Sequence, residues 1–529
     1  MEPKVTWFHP LGRGAAQLRP QRPPNERTLL ALAASAALIS FTIVIPAVGA
    51  YPRPGETTRA SESAGGAEAK GDSFTPAIGA NGRHVAFVSS APNLVRGDLN
   101  SRPDVFLRDM RTGAIQLISR SRNGESANRD SFEPIITPDG RYVAFASTAT
   151  DLIAGEKDPR QSVFLLDRKT NKVTKVSRET EIPHPIYPTL CTRTTPGSGH
   201  PAISTTGRYV VYARNHVALL DECGEIFLFD TKTKKTELVS RSFTGDRANG
   251  LAWNPAISGN GRYVTYESSS TDAVFGDMNA TYDIFVYDTK TEETKLASVT
   301  SDGQQTNWSG SSLEPDIDAS GRHVVFVSNA INLVPADTNR ARDIFIHDTK
   351  TGRTERVSVS SQGVEADGAS AHPVISDDGR YVVFESTASN LVPGDENAAS
   401  DVFVHDIKTK TTERISVSTR GDPDGASGKP AIGPDGRYVA FESLAANLVA
   451  GDANDASDVF VRDRGPSQGF GALRVARSGK DLTGWATFAG AELVSAEANV
   501  SRSHPGPYIV WARVCLKGAC ATISRKVQL

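Results

Sequence analysis

Two sets of residues in this chain have the types and spacing to do chemistry. The first is an acidic motif, Asp-x-Asn-x-x-x-Asp, usually preceded by Gly. It gives Asp98, Asn100 and Asp104; Asp277, Asn279 and Asp283; Asp337, Asn339 and Asp343; Asp395, Asn397 and Asp401; and Asp452, Asn454 and Asp458. Oxygen ligands at positions 1, 3 and 7 of a loop suit Ca²⁺, which takes 6–8 oxygens. The spacing lacks the fifth-position ligand and fixed Gly of an EF-hand. The preferred reading is therefore structural: Asp and Asn side chains accept backbone N–H groups and pin a long loop. Calcium is kept as the minor reading, and no other cofactor is expected.

The second set occupies one position that differs between copies of a repeat, the residue before a Pro: Thr75, Glu133, His200, Asn254, Glu314, His372 and Lys429. A position that varies while its surroundings repeat is a better place to look for a ligand than one that recurs unchanged. Acid, base and amide groups in one ring would suit a polar ligand or a peptide end; the competing reading is a set of solvated loop residues. Motifs for catalysis are absent: there is no Gly-x-Ser-x-Gly, no His-Glu-x-x-His and no phosphate loop. Glu133, Glu314 and His372 contain acid and base groups, but spacing does not single them out. His84 and His323 stand where other copies have Tyr and read as packing residues. Arg420-Gly421-Asp422 is read as a chance tripeptide.

These residues are positioned by a repeat whose clearest copy runs from Ser370 to Ser418. Its anchor, a Gly-Arg pair, recurs at Gly82, Gly140, Gly207, Gly261, Gly321, Gly379 and Gly436, roughly 54 to 67 residues apart. Each copy holds four short segments rich in Val, Ile, Phe and Tyr, as in PVIS, RYVVFES, DVFVHD and TERISVS, which predict antiparallel strands. An Asp-Asp-Gly or Pro-Asp-Gly turn joins the first two, and an Asp-x-Lys-Thr turn joins the last two. Phe87, Phe145, Tyr212, Tyr266, Phe326, Phe384 and Phe441 on the second strand should pack between copies. So should Phe106, Phe164, Phe227, Phe285, Phe345, Phe403 and Phe460 on the third. Radial stacking of such sheets is a β-propeller.

The seventh copy reaches DVFVRD at Asp458–Asp463 but has no fourth strand after it. Thr57 to Pro76 aligns without a gap to Thr354 to Pro373, so an orphan fourth strand opens the array. The expectation is an all-β fold, a seven-bladed propeller over 56–465 closed by that N-terminal strand. The motif Pro-x-Ile-Ser-x-Asp-Gly-Arg-Tyr-Val-x-Phe-x-Ser, as in Pro373 to Ser386, resembles the TolB-type propeller repeat, a WD-like repeat. The resemblance implies the fold; propellers of this kind host binding proteins, periplasmic components and enzymes alike. TolB carries a further N-terminal domain, for which this sequence has no room.

Residues 1–50 carry Arg13, Arg19, Arg22 and Arg27 before an apolar run ending at Ala50, and read as a signal peptide or an N-terminal membrane anchor. Either places the propeller outside the cytoplasm, secreted, periplasmic or membrane-anchored. Cys191 with Cys223, and Cys515 with Cys520, suit two local disulfides in such a compartment, although four buried thiols remain the alternative. With a net charge of −3 there is no basic excess for nucleic acid. Residues 466–529 read as a linker and a small β appendage. Alternation of strands puts every long loop on one face and every tight turn on the other, so a ligand is sought on the long-loop face. The irregular third copy is read as loop drift, with a partner-specific patch as the alternative. The functional expectation is an exported, non-catalytic, monomeric propeller binding a protein, peptide or envelope glycan on that face; the alternative is a lyase or hydrolase at the channel mouth.

Overall fold

The computed structural model describes residues 53–177, 197–217, 222–307, 310–418 and 421–465, with five strand segments between 473 and 527. The segment expected to direct export, 1–50, and Cys191 lie outside these residues. Seven four-stranded antiparallel sheets follow one another as blades 1 to 7, spanning 73–117, 131–175, 197–238, 252–296, 312–356, 370–414 and 427–463. The first strand of every blade touches the first strands of both neighbours, blade 7 to blade 1 included, so the first strands surround the axis. Blade 7 takes its outer strand from Thr57–Arg59, which pairs antiparallel with Asp458–Asp463 in the register Thr57 to Arg462 and Arg59 to Phe460. The orphan strand read from the sequence closes the ring.

All fourteen expected aromatic residues are buried. Those on the second and third strands of one blade stack as a pair, with ring centroids 5.7–6.0 Å apart. Each pair faces backwards. Phe87 and Phe106 of blade 1 lie against Ala440, Val459 and Val461 of blade 7, and Phe145 and Phe164 of blade 2 against Ala86, Val88, Val105 and Leu107 of blade 1. The same arrangement continues round the ring. There is accordingly one core per interface, with each buried ring contributing roughly 1.5–3 kcal/mol.

The Gly-Arg pair has two separate jobs. In every blade the Arg reaches the Asp that ends the third strand, at 2.6–3.0 Å, from Arg83–Asp109 to Arg437–Asp463. That Asp also accepts the N–H two residues on, as Asp348 does from Lys350 at 2.9 Å, so both tight turns of a blade are tied together. Gly207 sits at φ 71°, and a Cβ there would overlap the ring of Tyr142 from the preceding blade. The contact recurs at each interface, with His84 and His323 in place of Tyr, and runs from Tyr438 of blade 7 to Gly82 of blade 1.

Blade 3 departs from the pattern. Its second and third strands lengthen to Tyr209–Val217 and Glu222–Asp230 and pair as far as Val217 with Glu222, a hairpin in place of the long loop. After the ring, Leu473–Ser478 pairs with Asp481–Ala486, and Leu493–Arg502, Tyr508–Leu516 and Ala519–Val527 form a three-stranded sheet. Cys515 and Cys520 are cross-strand partners in its last hairpin. No helix among the described residues is long and apolar enough to cross a membrane.

Gly207→Ala should destabilise the propeller by about 2–5 kcal/mol, from the left-handed backbone and the overlap with Tyr142 together. Gly363→Ala, at φ 78° with open space around it, should cost only about 1–2 kcal/mol. Denaturant unfolding of the two variants measures the difference.

Candidate functional site

The seven variable residues sit on the innermost strands, each inside a β-bulge where the register with the second strand slips, as between Phe132 and Ile135. All seven have left-handed backbone, with φ from 44° at Asn254 to 53° at Glu314. A non-glycine residue there is strained. The bulge turns its own N–H towards the preceding blade, and in five interfaces that N–H meets a carboxylate. Thr75 donates to Glu442 (2.8 Å), His200 to Glu133 (2.7 Å), Glu314 to Glu267 (2.6 Å), His372 to Glu314 (2.8 Å) and Lys429 to Glu385 (2.9 Å).

The carboxylates come from two different strands. Blades 4, 6 and 7 supply Glu267, Glu385 and Glu442 from the second strand, while their bulge residues are Asn254, His372 and Lys429. Blades 2 and 5 have Ala146 and Val327 at the second-strand position and supply the acid from the bulge itself, as Glu133 and Glu314. Each of these blades thus offers one carboxylate to the next, by one route or the other. The three second-strand acids were missed in the sequence because each strand was read separately; setting the two positions side by side would have shown the exchange.

Around Lys429 the ring becomes a small polar cluster. Nδ1 of His372 lies 3.0 Å from Glu385 Oε1, and its Nε2 lies 2.8 Å from Lys429 Nζ and 3.9 Å from Glu314 Oε1. Burial pushes Glu385 up, but His372 and Lys429 outweigh it and hold the carboxyl below its ordinary range. Burial leaves Glu267 and Glu442 raised, against the pull of the N–H groups of Glu314 and Thr75. His200 Nδ1 is 3.7 Å from Glu133, and its ring lies edge-on to Trp253. One level deeper, Asp316 accepts the Ile375 N–H at 2.9 Å and is pushed up to about 7 by burial. These groups can orient a polar ligand at the axis.

The five Asp/Asn loops lie at the outer ends of the long loops, away from this ring. Asn accepts the N–H two residues on, as Asn339 does from Ala341 at 2.7 Å, and in four copies it donates to the last Asp at 2.8–3.0 Å. That Asp takes a Ser hydroxyl from just past the fourth strand, as Asp343 does from Ser358 at 2.5 Å. In blades 5, 6 and 7 a guanidinium stands among the acids. Arg356 Nη1 lies 3.7 Å from Asp337 and 3.4 Å from Asp343 and also bonds Glu365. Arg414 does the same for Asp395, Asp401 and Asp422, and Arg59 for Asp452, Asp458 and Glu68. Asp337, Asp343 and Glu365 approach closely enough to resemble a metal cluster, but Arg356 fills its centre. The two blades that lack the motif also bring a cation to this corner: Lys175 meets Glu156 at 2.8 Å in blade 2, and Arg214 and Arg247 meet Glu225 in blade 3.

Among the described residues, exposed large apolar side chains are confined to one face. The large hydrophobic side chains that stand out into solvent are Leu99, Phe243, Phe275, Met278, Ile331, Val364 and Leu444. Every one lies in a second-to-third or fourth-to-first connection, on the long-loop face. Phe243 of blade 3 and Phe275 of blade 4 meet edge to face with centroids 5.9 Å apart, and Met278 shares the Phe275 loop.

Removing the blade 2 carboxylate should expose how the axial ring is wired. Glu133→Ala leaves the His200 N–H without its acceptor and should cost about 1–3 kcal/mol. Adding Ala146→Glu, which copies blades 4, 6 and 7, should restore most of that loss; chemical denaturation of the single and double variants measures it.

No family model matches the sequence, and no curated protein matches it. Among solved structures the chain is similar to an oligogalacturonate lyase in complex with manganese, at 12% identity and a TM-score of 0.46 over 78% of this chain and 96% of that one. It is also similar to TolB from Acinetobacter baumannii, at 15% identity and 0.34 over 60% of this chain and 61% of that one, and to a putative TolB from Agrobacterium tumefaciens, at 16% and 0.36 over 68% and 97%. The activities in those names belong to those proteins; this chain is a seven-bladed β-propeller with TolB proteins among its structural neighbours.

Proposed function

We propose that the chain is an exported, non-catalytic propeller that binds a protein or peptide through its long-loop face. The observation that carries this reading is the one-sided distribution of exposed apolar residues among the described residues. Phe275 is 88% exposed and Phe243 58%, and their rings meet between blades 3 and 4; Met278, 72% exposed, stands on the Phe275 loop. Aromatic and Met side chains grouped in solvent are the composition of interface centres. The opposite face carries the Arg–Asp pairs that tie the turns together, and their charges satisfy each other.

Export is proposed from the Arg-flanked apolar segment that ends near Ala50. The axial ring supports a second reading, an enzyme at the channel mouth, because His372 stands between Glu385 and Lys429. The binding reading is preferred because His372, Glu314 and Glu385 already serve neighbouring blades, through backbone N–H groups or through each other.

The test uses the chain without residues 1–50, immobilised and exposed to solubilised cell envelope, with each retained protein then purified and its affinity measured. Phe243→Ser/Phe275→Ser/Met278→Ser should weaken binding at least about tenfold, whereas Lys350→Glu/Lys408→Glu on the tight-turn face should leave it unchanged. Equal affinity for the first variant, or envelope glycan turned over with no protein retained, would overturn the reading.

A further inference from the structure

The loop carboxylates of blades 1 and 4 differ from their counterparts in the rest of the ring. Where blades 5, 6 and 7 place Arg356, Arg414 and Arg59, blades 1 and 4 have Leu117 and Leu296; where those blades add Glu365, Asp422 or Glu68, blades 1 and 4 have Ser126 and Gln305. The built-in cation and the acid that completes its cage are missing together. The remaining acids are kept. Asp98 is 3% exposed and Asp104 fully buried, and Asp277 and Asp283 are buried likewise.

Asp104 accepts Asn100 Nδ2 on Oδ2 and Ser119 Oγ on Oδ1, but the other three acids keep unused oxygens. Both Oδ atoms of Asp98, Oδ1 of Asp277 and Oδ2 of Asp283 are buried with no donor in hydrogen-bonding geometry. Asp98 and Asp130 both bear on Asp104 with like charge. Beside each pair the chain passes through Gly97 or Gly276, where no neighbouring atom crowds the backbone.

We propose that blades 1 and 4 each bind a calcium ion between the paired aspartates, Asp98 with Asp104 and Asp277 with Asp283, in the place that a guanidinium fills in blades 5, 6 and 7. Hard carboxylate oxygens and a loop open to water suit Ca²⁺, which tolerates irregular shells; Mg²⁺ demands a closer octahedron. The ion neutralises two buried acids that have no cation of their own.

The experiment measures calcium directly on the full chain. After dialysis against about 1 mM CaCl₂ the protein should retain about two ions per chain, and Asp98→Asn/Asp277→Asn should retain none. Melting in saturating calcium should rise by roughly 3 °C or more over melting in chelator, with magnesium ineffective. The variant Leu117→Arg/Ser126→Glu/Leu296→Arg/Gln305→Glu, which installs the arginine cage, should fold and lose the calcium shift. Wild-type protein that retains no calcium and melts identically with ion and chelator would overturn the proposal. So would a grafted or Asn variant that keeps the full shift, or stabilisation on acidification alone with none from calcium, which would mean that each pair holds a proton instead. If both variants fail to fold, the wild-type calcium content decides by itself.

Discussion

The aromatic pair of each blade has nothing to pack on except the aliphatic face of the blade before it, and the structure depends on that requirement being met seven times without a gap. A blade by itself would present a Phe–Phe or Tyr–Phe stack on one side and a Val and Ala surface on the other, both to water. Only a closed ring buries every such surface, which is why the seam matters. Phe87 and Phe106 rest on Ala440, Val459 and Val461, and the Thr57–Arg59 strand covers the far edge of that same blade. The Tyr438 ring against Gly82 repeats at the seam the contact made at every other interface.

Polar groups follow the same neighbour-to-neighbour logic. Near the axis, at five of the seven interfaces a carboxylate of one blade accepts the bulge N–H of the next, so a strained backbone position is held by the adjacent sheet rather than by its own. At the rim, the loop acids of five blades are held by cations: Arg356, Arg414, Arg59 and Lys175 from the fourth strand in blades 5, 6, 7 and 2, and Arg214 with Arg247 in blade 3. Arg59 belongs to this set, so the strand that closes the ring also delivers the guanidinium for Asp452 and Asp458. Buried charge of this kind gives weak net stabilisation but penalises wrong pairings, a useful property in a chain whose blades are nearly interchangeable.

Much of this architecture could be read from the sequence because the repeat is its own control. The gapless match of Thr57–Pro76 to Thr354–Pro373 identified the missing strand, and His84 and His323 were recognisable as packing residues by the Tyr that replaces them elsewhere. The function of the variable position was harder to see. Its left-handed backbone leaves no mark in residue type, since Thr, Glu, His, Asn and Lys all occur there. Its partner lies in a different strand of a different blade. Glu133 and Glu314 looked like ligand groups, and the structure gives them work between blades. The roles of Arg356 and Arg414 were hidden for a related reason, because an Arg in a TER-type strand reads as an exposed alternating residue until the loop folds over it.

Whether the two ends of the array form one continuous sheet is best measured by native-state hydrogen exchange on the full chain. The Ala60 N–H bonds Val459 O at 2.7 Å, and the Asp463 N–H bonds Glu56 O at 3.1 Å. If closure holds the ring, the bonded amides of residues 57–60 and 458–463 should be protected together and open only with global unfolding. Free exchange across 57–60 while the strands of blades 4 to 6 stay protected would contradict the account.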